Sequence, residues 1–149
     1  MYEINKQFDR ADYTYKYRAK NINNQQLILD IYICDNSDFS NELLWNIEFY
    51  IATKRKHGFQ TLISTGKDGI KSLIWAKNCI KDFIKEKESD TEYNNSILVN
   101  WDNSKRKKIY IYGLSKLGFT LIKYRRGESL YLRINKPEVQ GIEDTQFKL

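Results

Sequence analysis

Two short stretches carry residue types that suggest chemistry. Thr65-Gly66-Lys67-Asp68-Gly69 places two glycines in a turn that opens a helix. Such a turn aims unpaired backbone N–H groups outward, the helix dipole adds partial positive charge, and Lys67 adds a full one. A pyrophosphate would dock there. The alternative is a tight strand-to-helix turn with Asp68 near the N-cap, because the spacing is neither G-x-G-x-x-G nor a Walker sequence. The second stretch, Ser104-Lys105-Arg106-Lys107-Lys108, puts four cations in the first turns of a helix. Each opposes the dipole at a cost of roughly 0.3–1 kcal/mol, which a bound anion would remove and solvation would tolerate. Lys123, Arg125 and Arg126 extend the set. Tyr110, Tyr112 and Tyr124 interleave with it, a pattern that pairs phosphates and stacks bases when it is not simply core and rim.

The charge is concentrated. Residues 103–136 hold ten Lys or Arg against Glu128 alone, so this third of the chain carries +9 and the rest −3 of the net +6. An anionic partner, whether phosphate, nucleic acid or an acidic protein surface, suits that field, and a solvated basic face is the bland counterpart. With one histidine, His57, and two cysteines, a closed zinc site would need distant carboxylates, so no metal is expected. Cys34 and Cys79 sit among apolar neighbours and read as reduced core residues of an intracellular protein. No run of eighteen apolar residues predicts a membrane span, and the N-terminus lacks the apolar region of a signal peptide. The expected location is the cytoplasm, or a host cytoplasm or virion for a phage-encoded chain. Heavy use of Lys, Asn, Ile and Tyr points to an AT-rich genome.

The elements that must position these residues centre on 58–87. A strand at 59–64 leads through the glycine turn into a helix at 70–87. Ile70, Leu73, Ile74, Ala76, Ile80, Phe83 and Ile84 share one face of that helix, widened by Trp75 and Cys79. Before it, residues 1–12 form a loose arm or short first element, and alternation predicts strands near 13–19, 27–34 and 44–52. For 44–52 a helix competes, but β-branched and aromatic content favours strand. After it come a strand at 96–101, a helix capped by Asp102 or Asn103 and running to about Leu117, and a hairpin of 120–125 with 129–135 around Arg126-Gly127-Glu128. Gly118 ends the second helix in the left-handed position. Gly113, inside it, costs about 1 kcal/mol against alanine and either permits close approach or merely packs. Residues 13–136 make one domain and 137–149 a mildly acidic tail. A right-handed crossover through 70–87 would set 96–101 parallel to 59–64, leaving a cleft at their carboxyl ends beside the 65–69 turn.

That order of strand, glycine turn, helix and strand, followed by Arg106-x-Lys108-Ile109-Tyr110 and Leu114-Ser115-Lys116-Leu117-Gly118-Phe119, resembles the GNAT N-acetyltransferase fold over residues 44–135. It looks closest to small GNAT-like proteins of phages and bacteria. The resemblance implies an α/β (α+β) domain with a mostly antiparallel sheet of six to seven strands, two main helices and one parallel pair. It implies Thr65, Gly66, Lys67, Asp68 and Gly69 as the cradle for the pyrophosphate of acetyl-CoA, and Tyr110 or Tyr112 as the acid that protonates the departing thiolate. The family's usual turn is richer in Gly and Arg, so Lys67 and Asp68 depart from it, and Asp68 repels phosphate. The sequence departs from the pattern in three further ways. Leu114 stands at the family's usual tyrosine position, the nearest strand carboxylate is Glu48 on the side away from the core stripe, and residues 21–26 are too few for the substrate-wall helices. Three functions follow: a GNAT-like domain without clear catalytic residues, serving interaction or structure with no cofactor; an acyl-CoA-dependent N-acyltransferase; and a nucleic-acid-binding module using Lys105, Arg106, Lys107, Lys108, Lys123, Arg125 and Arg126.

Overall fold

The computed structural model describes residues 2–21, 24–36, 42–52, 59–61, 69–101 and 104–135. It is an α+β domain with eight strands in one mixed sheet and two helices on one face. The strands are β1 (Asn5–Asp9), β2 (Thr14–Lys20), β3 (Gln26–Asn36), β4 (Glu42–Ala52) and β5 (Phe59–Thr61), then β6 (Asn94–Val99), β7 (Thr120–Tyr124) and β8 (Gly127–Arg133). The helices are α1 (Gly69–Glu88), between β5 and β6, and α2 (Ser104–Leu114), which runs into a 3-10 turn at Ser115–Leu117. The strand order is β1-β2-β3-β4-β6-β8-β7, with β5 attached to β4.

Period-two alternation explains the sheet. Tyr15, Tyr17 and Ala19 of β2, Leu27, Leu29 and Ile31 of β3, and Leu43, Trp45 and Phe49 of β4 are buried. They form one core with Trp75, Ala76, Cys79, Ile80 and Phe83 of α1. Residue 44–52 is therefore strand, not helix, and the pleat sends Trp45 and Phe49 to the helix-covered side. Trp45 stacks on Tyr13 and meets Tyr15 and Phe83 edge-on, with centroids 5.0–5.7 Å apart. These are the offset and perpendicular arrangements that ring quadrupoles favour. Gly118 adopts φ 99° and returns its amide to Ser115 O, closing the second helix in the expected left-handed conformation.

The pairing of the crossover differs from expectation. Strand β6 lies parallel to β4, pairing residues 94–98 with 42–46, and β5 folds back antiparallel on residues 50–52 of the same β4. The co-directional pair is thus β4 and β6, not 59–64 and 96–101. An eleven-residue strand is long enough to host two partners along one edge, and β4 does so. Lys6 Nζ bridges Asp82 Oδ2 and Glu86 Oε1 of α1 at 2.9 and 2.8 Å, fastening β1 over the helix's last turns. Burial disfavours the Lys6 ammonium, but those two carboxylates outweigh it and hold its pKa above the usual value.

Candidate functional site

Between α1 and α2 the helices part over the sheet and leave a cleft of about 540 Å³. Its floor is Leu29 of β3, Ile47 and Phe49 of β4 and Val99 at the end of β6. One wall is Ile70, Leu73, Ile74, Ala76, Lys77 and Ile80 of α1, and the other is Lys108, Ile109, Tyr110, Tyr112, Gly113, Leu114 and Lys116. Burial grades from floor to mouth. Leu29, Phe49, Val99 and Leu114 are buried, whereas Ile70 is 72% exposed, Ile74 45% and Tyr112 76%. The predicted apolar face of α1 is real, but only Trp75, Ala76, Cys79, Ile80 and Phe83 are sealed by it. Its Ile70–Ile74 edge looks into the opening.

The position follows from the sheet. The cleft lies beyond the carboxyl ends of the single parallel pair, where crossover connections leave a crevice. Strand β4 is shared, with β6 on residues 42–46 and β5 on 50–52. Among the described residues, neither ladder pairs the 47–49 edge of β4 on that side. The amide of Ile47 at that edge donates to Asn46 Oδ1 at 2.9 Å.

The cations fall into two groups. Lys108, Tyr112 and Lys116 stand on successive turns of one wall, with Lys116 Nζ 5.5 Å from the Tyr112 ring centroid, and Lys77 faces the cleft from α1. The charged residues of the described lining are Lys77, Lys108 and Lys116. The other group sits at the hairpin. Lys107 is not available as a bare cation, because it forms an ion pair with Glu128. Lys123 is the cross-strand partner of that same Glu128, and Arg125 and Arg126 form the exposed β7–β8 turn. The run at 104–108 is thus divided. Lys108 turns to the cleft and Lys107 to the hairpin, while the side chains of Lys105 and Arg106 lie outside the described residues.

Tyr110 is half-buried on the cleft wall one turn before Leu114, on the same face, as the spacing implied. Tyr112 lines the mouth and is open to solvent. Thr65, Gly66, Lys67, Asp68 and His57 lie outside the described residues, and Gly69 begins α1. Glu48 is exposed on β4, opposite Asp30 of β3, on the sheet face away from the helices. That face carries its own cluster. Arg18 pairs with Asp30, and the Tyr50 hydroxyl donates to Asp30 Oδ2, which with burial pushes the Tyr50 pKa up to about 12. A Cβ built on Gly113 meets no atom within 4 Å, so this glycine serves no close approach and simply opens the cleft wall. Cys79 is buried as expected, but Cys34 is exposed, because strand alternation puts it on the face opposite Leu29, Ile31 and Ile33. The described residues contain no group of side chains able to hold a metal, and no helix long and apolar enough to cross a membrane.

Sequence reasoning missed Lys77 and Lys116 as site residues. Their signal was present: Lys77 lies three and seven residues after Ile74 and Ile70, and Lys116 eight after Lys108, so helical phasing puts each beside a cleft-lining neighbour. Comparison with protein-family models, curated proteins and solved structures finds no match for this chain.

Proposed function

We propose that the chain is a GNAT-like domain that binds an acyl-CoA in the cleft between α1 and α2, and that it acts by binding rather than by acyl transfer. The observation that carries this is the cleft itself: an apolar trough at the carboxyl end of the only parallel pair in the described sheet, walled by Lys77, Lys108 and Lys116. Its volume is in the small-molecule range. Three separated cations suit several phosphate charges better than one carboxylate. The absence of a carboxylate or imidazole among the described lining favours binding over catalysis, since an amine acceptor must lose a proton before it attacks. The GNAT likeness is drawn from the mixed sheet, its crossover helix and the second helix that follows.

Calorimetric titration with acetyl-CoA tests the reading. A saturable one-to-one isotherm, weakened at least tenfold in Lys108→Glu, supports it. No heat at millimolar ligand removes it. Release of free CoA thiol that depends on an added amine would replace it with the N-acyltransferase reading, in which Tyr110, already on the cleft wall, is the acid.

A further inference from the structure

We propose that the β7–β8 hairpin binds single-stranded nucleic acid, with bases stacked on Tyr124 and Tyr131 and phosphates held by Arg125, Arg126 and Arg133. The register sets both rings on one surface. Leu130 and Leu132 of β8 pair with Val99 and Ile97 of β6 on the core side, so Ser129, Tyr131 and Arg133 face away from the helices. Tyr124 stands opposite Gly127, in the same alternation, and shares that face. Each ring is held by its hydroxyl. That of Tyr124 lies 2.6 Å from Ser129 Oγ, which donates in turn to Asn100 Oδ1, and that of Tyr131 lies 3.0 Å from Ser96 Oγ. Gly127 leaves room for the first ring, since a Cβ there would come within 3.3 Å of Tyr124 Cε2. Yet Tyr124 is 51% exposed and Tyr131 partly so. A ring tethered at its tip and left half in water is a stacking surface already ordered for a ligand. Arg125 and Arg126 form the exposed turn beside Tyr124, and Arg133 is exposed beyond Tyr131. Among the described residues none of these three arginines forms an ion pair, and Glu128 is taken by Lys107 on the other face. The turn and Arg133 lie about 20 Å apart along β8, at about 3.3 Å per residue, a span of several nucleotides. The strand must be unpaired, because a duplex hides the faces of its bases. Charge alone would serve to keep an edge strand from pairing with another chain, but tethered rings do not serve that end. The hairpin shares no residue with the cleft lining, so this binding is independent of the acyl-CoA reading.

Fluorescence anisotropy with labelled oligothymidine and oligouridine of about sixteen nucleotides, and with a duplex of the same length, tests the site. Saturable binding of a single strand, at least about tenfold tighter than the duplex, is expected. Tyr124→Ala should weaken it at least about fivefold, the low end of what one stacked base contributes, while Tyr124→Phe, which keeps the ring, should stay within about threefold of the native protein. Arg125→Gln combined with Arg126→Gln should reduce the slope of log affinity against log salt from about −2 to about −0.7. Circular dichroism and thermal unfolding establish that each variant is folded, and Tyr131→Ala, on a separate tether, supplies a second ring deletion. Equal affinity for duplex and single strand overturns the proposal, as does native affinity in both alanine variants. Polyglutamate binding as tightly as oligothymidine assigns the arginines to an acidic protein partner instead. No saturable binding at about 0.05 M salt removes the site altogether.

Discussion

Replacing Asn95 by leucine should lower stability by about 1–3 kcal/mol although the side chain keeps its approximate volume. Asn95 is fully buried. Its Oδ1 accepts from Trp45 Nε1 at 2.8 Å, and its Nδ2 donates to Asp90 Oδ2 at 2.9 Å. Leucine leaves the indole N–H, on a side chain that is itself fully buried, without its partner. An orphaned buried donor costs roughly 1–3 kcal/mol. Asp90 loses one charge-assisted bond but keeps the amides of Glu92 and Tyr93, and it is partly solvated, so about 1 kcal/mol more is lost. Added apolar burial offsets about 1 kcal/mol. For a chain of 149 residues the unfolding entropy is roughly 0.3 kcal/mol per degree, so the melting temperature should fall about 3–10 °C at pH 7. Thermal unfolding followed by far-ultraviolet circular dichroism measures it. The decisive control is the double-mutant cycle with Trp45→Phe, which deletes the orphaned donor. Trp45→Phe should cost about 1–2 kcal/mol less in the Asn95→Leu background than in the native one. A fall under about 3 °C, or strict additivity in the cycle, would refute the account of the network.

Three further outcomes follow from the same structure. Gly113→Ala should raise stability by up to about 1 kcal/mol, near 3 °C, because alanine favours helix and its Cβ meets open space; any loss would show that the wall is closed. Stability should hold from neutral pH to about 5 and fall below about 4. Burial pushes Asp90 and Glu86 up, but hydrogen bonds from Asn95 and backbone amides to the first, and from Lys6 and Tyr15 to the second, win and hold both below their ordinary 3.8 and 4.5. A depressed carboxyl stabilises the fold above its unfolded value and loses that contribution as pH falls, so Asn95→Leu should flatten the acid limb; an unchanged limb contradicts the assignment to Asp90. A disulfide reagent should label one thiol, Cys34, in the native protein and a second, Cys79, only on unfolding, since burial pushes the Cys79 thiol up and closes it off. Two equivalents in the native state would contradict the packing.

The legible parts of this fold were those with a strong local period. Helix α1 was read within one residue at each end because nine apolar residues cluster on one arc. Strands β2, β3 and β4 showed their alternation, and Gly118 its conformation. Partner choice was not legible, because register and adjacency depend on residues far apart in the chain. Residues 59–61 look like the strand that a crossover should leave, since they immediately precede the turn and helix. Yet the longer β4 offers seven more apolar or aromatic positions and takes β6 as its parallel neighbour. Charge was read as a sum along the sequence, and the fold splits it. Lys107 and Lys108 are adjacent residues, but a helical step of about 100° sends one to Glu128 and the other to the cleft.

The exchange of β5 for β4 relocates the chemistry. Had 59–64 and 96–101 been neighbours, the opening would belong to the glycine turn, and the apolar stripe of α1 would be a closed core. With β4 carrying both partners, the opening falls between the two helices. Helices crossing a continuous sheet would close on their apolar faces, because each buried leucine or isoleucine contributes roughly 1.5–3 kcal/mol. Here Ile70 and Ile74 remain in water while Lys77, Lys108 and Lys116 stand around them. That combination, apolar side chains left uncovered beneath a ring of cations, costs stability in the empty protein. An amphipathic anion seated in the cleft, as proposed, would recover both terms at once.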